Sequence, residues 1–330
     1  MIKTLINNIK KNPYGYFLVK LAVLFTIVFA FDYTIGNVLS HYYFKQESGL
    51  QYRTSYSIEK TKAEILIFGS SRATHHYNPA VFENLMKLSY YNVGRDGNDI
   101  FYHTAVLNGV LKRYKPKVVI LDFNFAEFKK DQTSYDRLSS LLPYYKSHPE
   151  MRSITELKSR YEKLKLFSKI YPYNSSMFTI AVGNADFNKK RKSDVKGYVP
   201  LFREWDGTIR IDSNLLDYNI DSLKVKAYES FIQNCIKSKV KLYVVCSPTC
   251  IDFKMKEESL IIGKEISKRN NIDFIDYSYD PVFINKPKLF ADAIHLNDSG
   301  AKFFSDILIN SINEMKKNDS NYTLTTLIKN

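Results

Sequence analysis

The chain has 330 residues, 45% of them hydrophobic, enough for one large domain or two small ones built on a sizeable core. Its net charge is +14, but the basic residues are scattered apart from Lys189-Lys190-Arg191-Lys192. With no zinc knuckle, basic helix or aromatic RNA-binding signature, nucleic acid is not the expected partner, and a solvated basic face or proximity to anionic lipid or polysaccharide fits better. Three cysteines, Cys235, Cys246 and Cys250, do not make a disulfide framework, and an odd count leaves at least one unpaired. Cys246 ends an apolar run and reads as a buried small hydrophobe, with a Cys246–Cys250 bridge as the alternative.

The elements follow in chain order. Residues 1–13 are basic, with Lys3, Lys10 and Lys11. Residues 14–36 form an apolar stretch, uncharged from Leu21 to Phe31 and long enough to cross a bilayer core of about 20 helical residues. Lys20 near its start can snorkel. The preceding lysines predict a cytoplasmic N-terminus and an extracytoplasmic remainder, a single-pass topology. A cleaved signal peptide is the competing reading, but no small-x-small site follows Phe31. A buried helix is the other alternative.

Residues 37–61 read as a stalk or an ordered approach to the domain, and 62–318 as the main domain. Glu64–Phe68 is a short buried strand ending in Gly69-Ser70-Ser71. A helix over Pro79–Leu88, a strand at Tyr90–Val93, a helix over Ile100–Tyr114 and a strand at Lys117–Asp122 follow. The alternation lapses over 126–222, which is rich in Tyr, Lys, Asn and Ser and reads as an inserted cap with helical stretches near 135–142 and 154–171. It resumes with a helix near 223–238, a strand at Lys241–Val245, a helix near 254–269, a strand at Ile272–Ile275 and a helix over Ser299–Met315. Residues 319–330 read as a flexible tail. Strands alternating with helices predict crossover units and a parallel sheet, a three-layer α/β/α flavodoxin-like fold.

Ligands of such sheets bind beyond the carboxyl ends of the strands. Gly69-Ser70-Ser71, Asn92-Val93-Gly94 and Asp122-Phe123-Asn124 all fall there, and Asp292-Ala293-Ile294-His295 precedes the last helix within reach. A serine hydroxyl is a poor nucleophile without a base at hydrogen-bond distance. Ser71 is the candidate nucleophile, His295 the base and Asp292 the group that orients it. Candidate oxyanion donors are the backbone N–H groups of Ser71 and Gly94 and the side-chain amide of Asn124. The bland alternatives are turn serines and a surface Asp–His pair.

Arg72 is a candidate substrate contact, or else an ion-pair partner of Asp122 or Asp96. His75 and His76 have no carboxylate spaced for a metal site and read as substrate-lining or surface residues, with His75 the candidate for binding. Trp205 and the insertion's tyrosines can stack on sugar rings or simply pack. No metal and no cofactor is expected. Gly97-Asn98-Asp99 reads as a helix start, with Asn98 or Asp99 as its cap.

With these blocks in hand, the chain resembles the SGNH/GDSL hydrolase superfamily: Ser71 in the first block, Gly94 in the second, Asn124 in the third, Asp292 and His295 in the last. The resemblance covers 62–125 and 223–315. Ser70 stands where the family usually carries aspartate, a form similar to membrane-anchored members that act on cell-envelope polymers. The third block lacks the usual Gly-x-Asn-Asp and keeps only Asn124. The resemblance implies the SGNH hydrolase fold and a serine acyl-enzyme. The expected function is an O-acyl esterase or transferase, with an acetyl group foremost, acting on a cell-envelope or exported polysaccharide. Expected partners are an acylated glycan or other ester, the membrane, and a membrane-bound acyl-donor protein. A lipase or thioesterase, and a non-catalytic glycan-binding scaffold, are the rival readings.

Overall fold

The structure is a computed structural model that describes residues 12–189, 193–208, 218–251 and 257–328. Lys3, Lys10, Lys11 and most of the Lys189–Lys192 run lie outside the described residues. Helix α1 spans Pro13–Lys45, 33 residues. It starts where the Asn12 side chain accepts from the N–H groups of Tyr14 and Gly15, with Pro13 at the first position. α1 is long and apolar enough to cross a membrane, and none of its most apolar 18-residue stretch is buried against the protein.

Residues 37–61 form an ordered, largely helical approach to the domain. α1 continues through Lys45, and a second helix, α2 (Gly49–Glu59), follows at once with Ser57 and Ile58 fully packed. Arg113 fastens its end, donating to the carbonyls of Ile58 and Thr61 at 2.8 Å each. The polar composition of this stretch reflects internal hydrogen bonds such as Thr54 to Tyr102 rather than exposure to water.

The sheet holds β1 (Ile65–Phe68), β2 (Tyr90–Asn92), β3 (Val118–Asp122), β4 (Lys241–Cys246) and β5 (Asp273–Asp276). All pairs are parallel, in the order β2-β1-β3-β4-β5, as a flavodoxin-like fold requires. Successive strand residues enter opposite core layers. Leu66, Phe68, Val119, Leu121, Leu242 and Val244 face one cluster; Ile65, Ile67, Val118, Ile120, Tyr243 and Val245 face the other. Both faces are covered, so the strands carry near-continuous apolar runs.

Helices α3 (Ser71–His76) and α4 (Pro79–Met86) and the last helix, Asp298–Ile328, serve one layer; α5 (Ile100–Arg113), Ser222–Lys237 and Glu258–Arg269 serve the other. Asp99 caps α5, its side chain accepting from Phe101 N–H, the helix start expected of that segment. The last helix runs through residues read as a flexible tail. No bridge joins Cys246 and Cys250: all three cysteines are free and buried, and Cys246 and Cys250 belong to opposite core layers.

The insertion is less regular than its composition suggests. The stretch near 135–142 is a short helix, α6 (Gln132–Arg137), followed by a tighter turn, Leu138–Tyr144, with Pro143 inside it. The expected helix over 154–171 breaks at Ser159, whose backbone is extended and whose hydroxyl donates to Glu162. The insertion is fastened to α1 instead of floating above the domain. Ser168 Oγ and Lys169 N–H donate to the Asp32 carboxylate at 2.5 and 2.7 Å. Gly36 lets the chain pass: a Cβ there would lie 2.5 Å from the Lys169 carbonyl carbon.

Candidate active site

β1 ends at Phe68, and Gly69 turns the chain with φ +141°, a conformation that side chains rarely adopt. A Cβ on Gly69 would also lie 2.8 Å from the Cβ atoms of Ala73 and Asp122. This turn places Ser71 at the first position of α3, at the sheet's carboxyl edge between β2 and β3. A six-residue helix of polar residues has no hydrophobic period, which is why the sequence pattern shows α4 but not α3.

His295 Nε2 lies 2.7 Å from Ser71 Oγ. Its Nδ1 lies 3.0 Å from both carboxylate oxygens of Asp292. The Asp292-x-x-His295 spacing acts through a tight turn: Asp292 Oδ1 also accepts the backbone N–H groups of Ile294 and His295, at 3.0 and 2.9 Å. Burial pushes the Asp292 carboxyl up, but the hydrogen bonds from the His295 ring and these backbone groups outweigh it and hold it at about 2. An ionised Asp292 fixes the proton of His295 on Nδ1 and leaves Nε2 free to accept from Ser71. Ser71 and His295 are only partly covered, so the centre opens directly to solvent.

The second block braces this turn. Asn92 Nδ2 donates to Ala73 O at 2.7 Å, and its Oδ1 accepts Gly94 N–H at 2.9 Å. The Gly94 donor expected at the oxyanion is thus already engaged by Asn92. What Gly94 contributes is closeness, since a Cβ there would lie 3.0 Å from Ala73 Cβ. Ser70 Oγ accepts Gly97 N–H at 3.1 Å, tying the two blocks again.

Asn124 follows β3 and uses its Oδ1 on Ala126 N–H at 3.0 Å, which leaves Nδ2 as the donor it can present. Its own N–H donates to Glu127 Oε2 at 3.2 Å. Glu127 is buried, and burial together with nearby Asp99 pushes its carboxyl up to about 8.

Arg72 does not face the mouth. It is 3% exposed, donates to the carbonyls of Ser247 and Phe123 at 3.0 and 2.7 Å, and pairs with Asp122 at 3.4 Å. The ion-pair alternative is the one realised, with the Arg72 side chain committed to Asp122 and two carbonyls in the core. His75 does lie at the centre: its ring meets that of His295 edge-on at 5.5 Å, while its Nδ1 is 2.7 Å from Val199 O.

His76 is neither a surface nor a substrate-lining residue. It is fully buried; burial, with the neighbouring His295 and Arg72, holds its pKa well below the usual histidine range. The neutral ring accepts Leu296 N–H on Nε2 at 3.0 Å and meets Ser247 Oγ through Nδ1 at 3.0 Å. It therefore braces the loop that carries His295. Both of its nitrogens are committed, and adjacent histidines on a short helix point apart, so the pair does not form a metal site.

Two contributions of the insertion escape sequence reasoning. Residues 198–205 run along the mouth, with Val199 N–H donating to Thr74 O at 3.0 Å and Trp205 N–H to Phe290 O at 2.9 Å. Trp205 is half-buried and packs against the core layer of the last helix. Arg203 Nη2 lies 3.2 Å from Asp292 Oδ2 while remaining largely exposed. Its only sequence signal is being a basic residue two positions before the lone tryptophan.

No protein-family model matches this sequence. No curated protein matches it at a significant level. Among solved structures, the chain is similar to an acetyl xylan esterase, AlAXEase, at 16% identity over 75% of this chain and 99% of that one, with a TM-score of 0.39. It is also similar to a candidate acylhydrolase from Bacteroides fragilis, at 12% identity over 81% of this chain and 99% of that one, with a TM-score of 0.39.

Proposed function

We propose that this chain is a membrane-anchored, SGNH-type serine esterase or O-acyltransferase whose substrate is an acylated, acetyl-bearing polysaccharide of the cell envelope. The observation that carries the chemistry is His295, with Nε2 at 2.7 Å from Ser71 Oγ and Nδ1 at 3.0 Å from Asp292. Ser71 Oγ attacks the ester carbonyl carbon as its proton passes to His295 Nε2. The negative charge collects on the carbonyl oxygen, against Ser71 N–H and Asn124 Nδ2. The tetrahedral intermediate collapses, the sugar oxygen leaves with the proton from His295, and an acyl-Ser71 ester remains. Water then attacks this ester to give hydrolysis, or a sugar hydroxyl attacks it to give transfer. Asp292 stays ionised throughout and stabilises the imidazolium.

The openness of the centre suits a polymer that enters from the side. α1 supports tethering to a membrane, with the domain on the extracytoplasmic face and an acyl-donor protein in the same membrane as the partner of a transferase. The test uses the full chain with p-nitrophenyl acetate, with and without acceptor sugars, and a fluorophosphonate probe. Ser71→Ala should lose about 10⁶ in turnover and all labelling. Free acetate alone marks an esterase, and acetylated sugar marks a transferase. Labelling that persists in the Ser71→Ala protein excludes Ser71 as nucleophile, and no turnover or labelling in the parent leaves a glycan-binding scaffold.

A further inference from the structure

The insertion presents an apolar turn beside the anchor. Over residues 159–169, Leu164 is 66% and Phe167 is 77% exposed, although the chain around them is firmly held. Glu162 is buried and accepts from Tyr171 and Ser159, and Ser168 and Lys169 are fastened to Asp32. Phe167, Ser168 and the α1 residues Phe25, Thr26, Val28, Phe29 and Asp32 enclose an open, mainly apolar cleft of about 720 Å³. A rigid turn that leaves a phenylalanine and a leucine in solvent, next to an equally bare helix, is costly in water.

The height of this cleft along α1 decides what fills it. Tyr14 to Phe31 spans about 27 Å at 1.5 Å per residue, close to a hydrocarbon core of about 30 Å. Asp32 then marks the edge of that core on the domain's side. Phe25 and Phe29 lie about 10 and 5 Å below it, within the apolar span. Phe167 is beside them and not above them. Tyr33 stands next to this edge, and Lys169 Nζ lies over its ring at 5.6 Å. Lys163 of the same turn lies 3.2 Å from Glu156 with its side chain 74% exposed, whereas Lys165 lies 3.6 Å from the buried Glu162 and donates to Ser159 at 2.9 Å.

We propose that the turn 159–169 is a membrane foot: Leu164 and Phe167 enter the leaflet on the domain's side, lipid acyl chains fill the cleft against Phe25 and Phe29, and the exposed Lys163 binds the headgroups. The foot rests on the reading of α1 as an anchor. With two points of attachment, one spanning and one dipping, the domain cannot swivel about a single helix. The mouth at Ser71 therefore keeps a fixed height and facing above the bilayer.

The test is tryptophan quenching in the full chain, reconstituted into vesicles of phosphatidylcholine and phosphatidylglycerol with acyl-chain-brominated lipid. Trp205→Phe, which removes the only native tryptophan, is combined in turn with Phe29→Trp, Leu164→Trp, Phe167→Trp or Phe202→Trp. Emission should fall at least twofold for Phe29→Trp, Leu164→Trp and Phe167→Trp, and stay unchanged for Phe202→Trp, an exposed position on the mouth loop. Quenching at Phe29→Trp without quenching at Leu164→Trp and Phe167→Trp overturns the foot while leaving the anchor, and assigns the surface to a protein partner. No quenching at Phe29→Trp removes the anchor reading and the foot with it.

Discussion

The carboxyl edge of the sheet and the insertion are built by different means. At the sheet edge, short motifs act locally. Gly69 turns the chain, Ser71 opens a helix, and Asp292 collects two backbone N–H groups and the His295 ring within four residues. The insertion has few apolar runs: it buries single side chains such as Leu138, Leu141 and Tyr144 in a core layer, and polar contacts far apart in sequence tie it down, such as Asp32 with Ser168, Gln51 with Thr179 and Asn184 with Tyr42. Chemistry is thus encoded where a few neighbouring residues suffice, and placement where distant residues must meet.

Asp292→Asn tests the local side most severely. The amide cannot hold the same tautomer of His295, so ester turnover should fall by about 10⁴ with the fold intact. A steady-state assay with a thermal melt checks this, and a loss of tenfold or less would mean that Asp292 does not orient the base.

The contrast in packing comes next. Phe123 is fully buried against Phe128, Tyr228 and Phe274, so Phe123→Ala should destabilise the protein by about 3–5 kcal/mol. Phe202, 81% exposed on the insertion, should cost less than about 0.5 kcal/mol as Phe202→Ala. Denaturant unfolding of the two proteins measures the gap, and equal losses would show that Phe202 is packed as tightly as Phe123.

His76→Ala joins the two sides. It leaves Leu296 N–H without its partner, a loss of about 1–3 kcal/mol. It also frees the His295 loop, so the drop in kcat should exceed what the lost stability explains. Unchanged kcat in the folded protein would reduce His76 to packing alone.

The smallest effect concerns Glu127. Its folded-state pKa is raised to about 8, so the neutral form is the one the fold favours. The stability this confers is complete below pH about 4.5 and is lost as pH rises through about 8. Glu127→Gln keeps a neutral amide there, and its melting temperature should vary less than the parent's between pH 5 and 8. Parallel curves for the two proteins would refute the shift.

Strand existence, sheet order class and the motifs that carry Ser71, Asp292 and His295 were legible in the sequence because each depends on a few neighbouring residues: short continuous apolar runs in β1 and β3, a glycine before a serine, a carboxylate three residues before a histidine. Less was legible for residues whose role depends on direction. Arg72 sits next to Ser71 but points into the core, because the carbonyls of Ser247 and Phe123 and the carboxylate of Asp122 converge there. His76 looks like a surface neighbour of His75 but spans to Leu296, 220 residues away.

By itself, the sequence determined the apolar α1, the alternating core and the short motifs that carry Ser71, Asp292 and His295, all properties of local pattern and covalent chemistry. Tertiary structure alone decided that Asn92 takes the Gly94 N–H, that Arg203 reaches Asp292, that residues 37–61 pack instead of extending, and that the turn at Phe167 lies against α1. Each of these is a meeting of segments whose separation along the chain carries no information about their distance in space, and only the packing of the layers sets it.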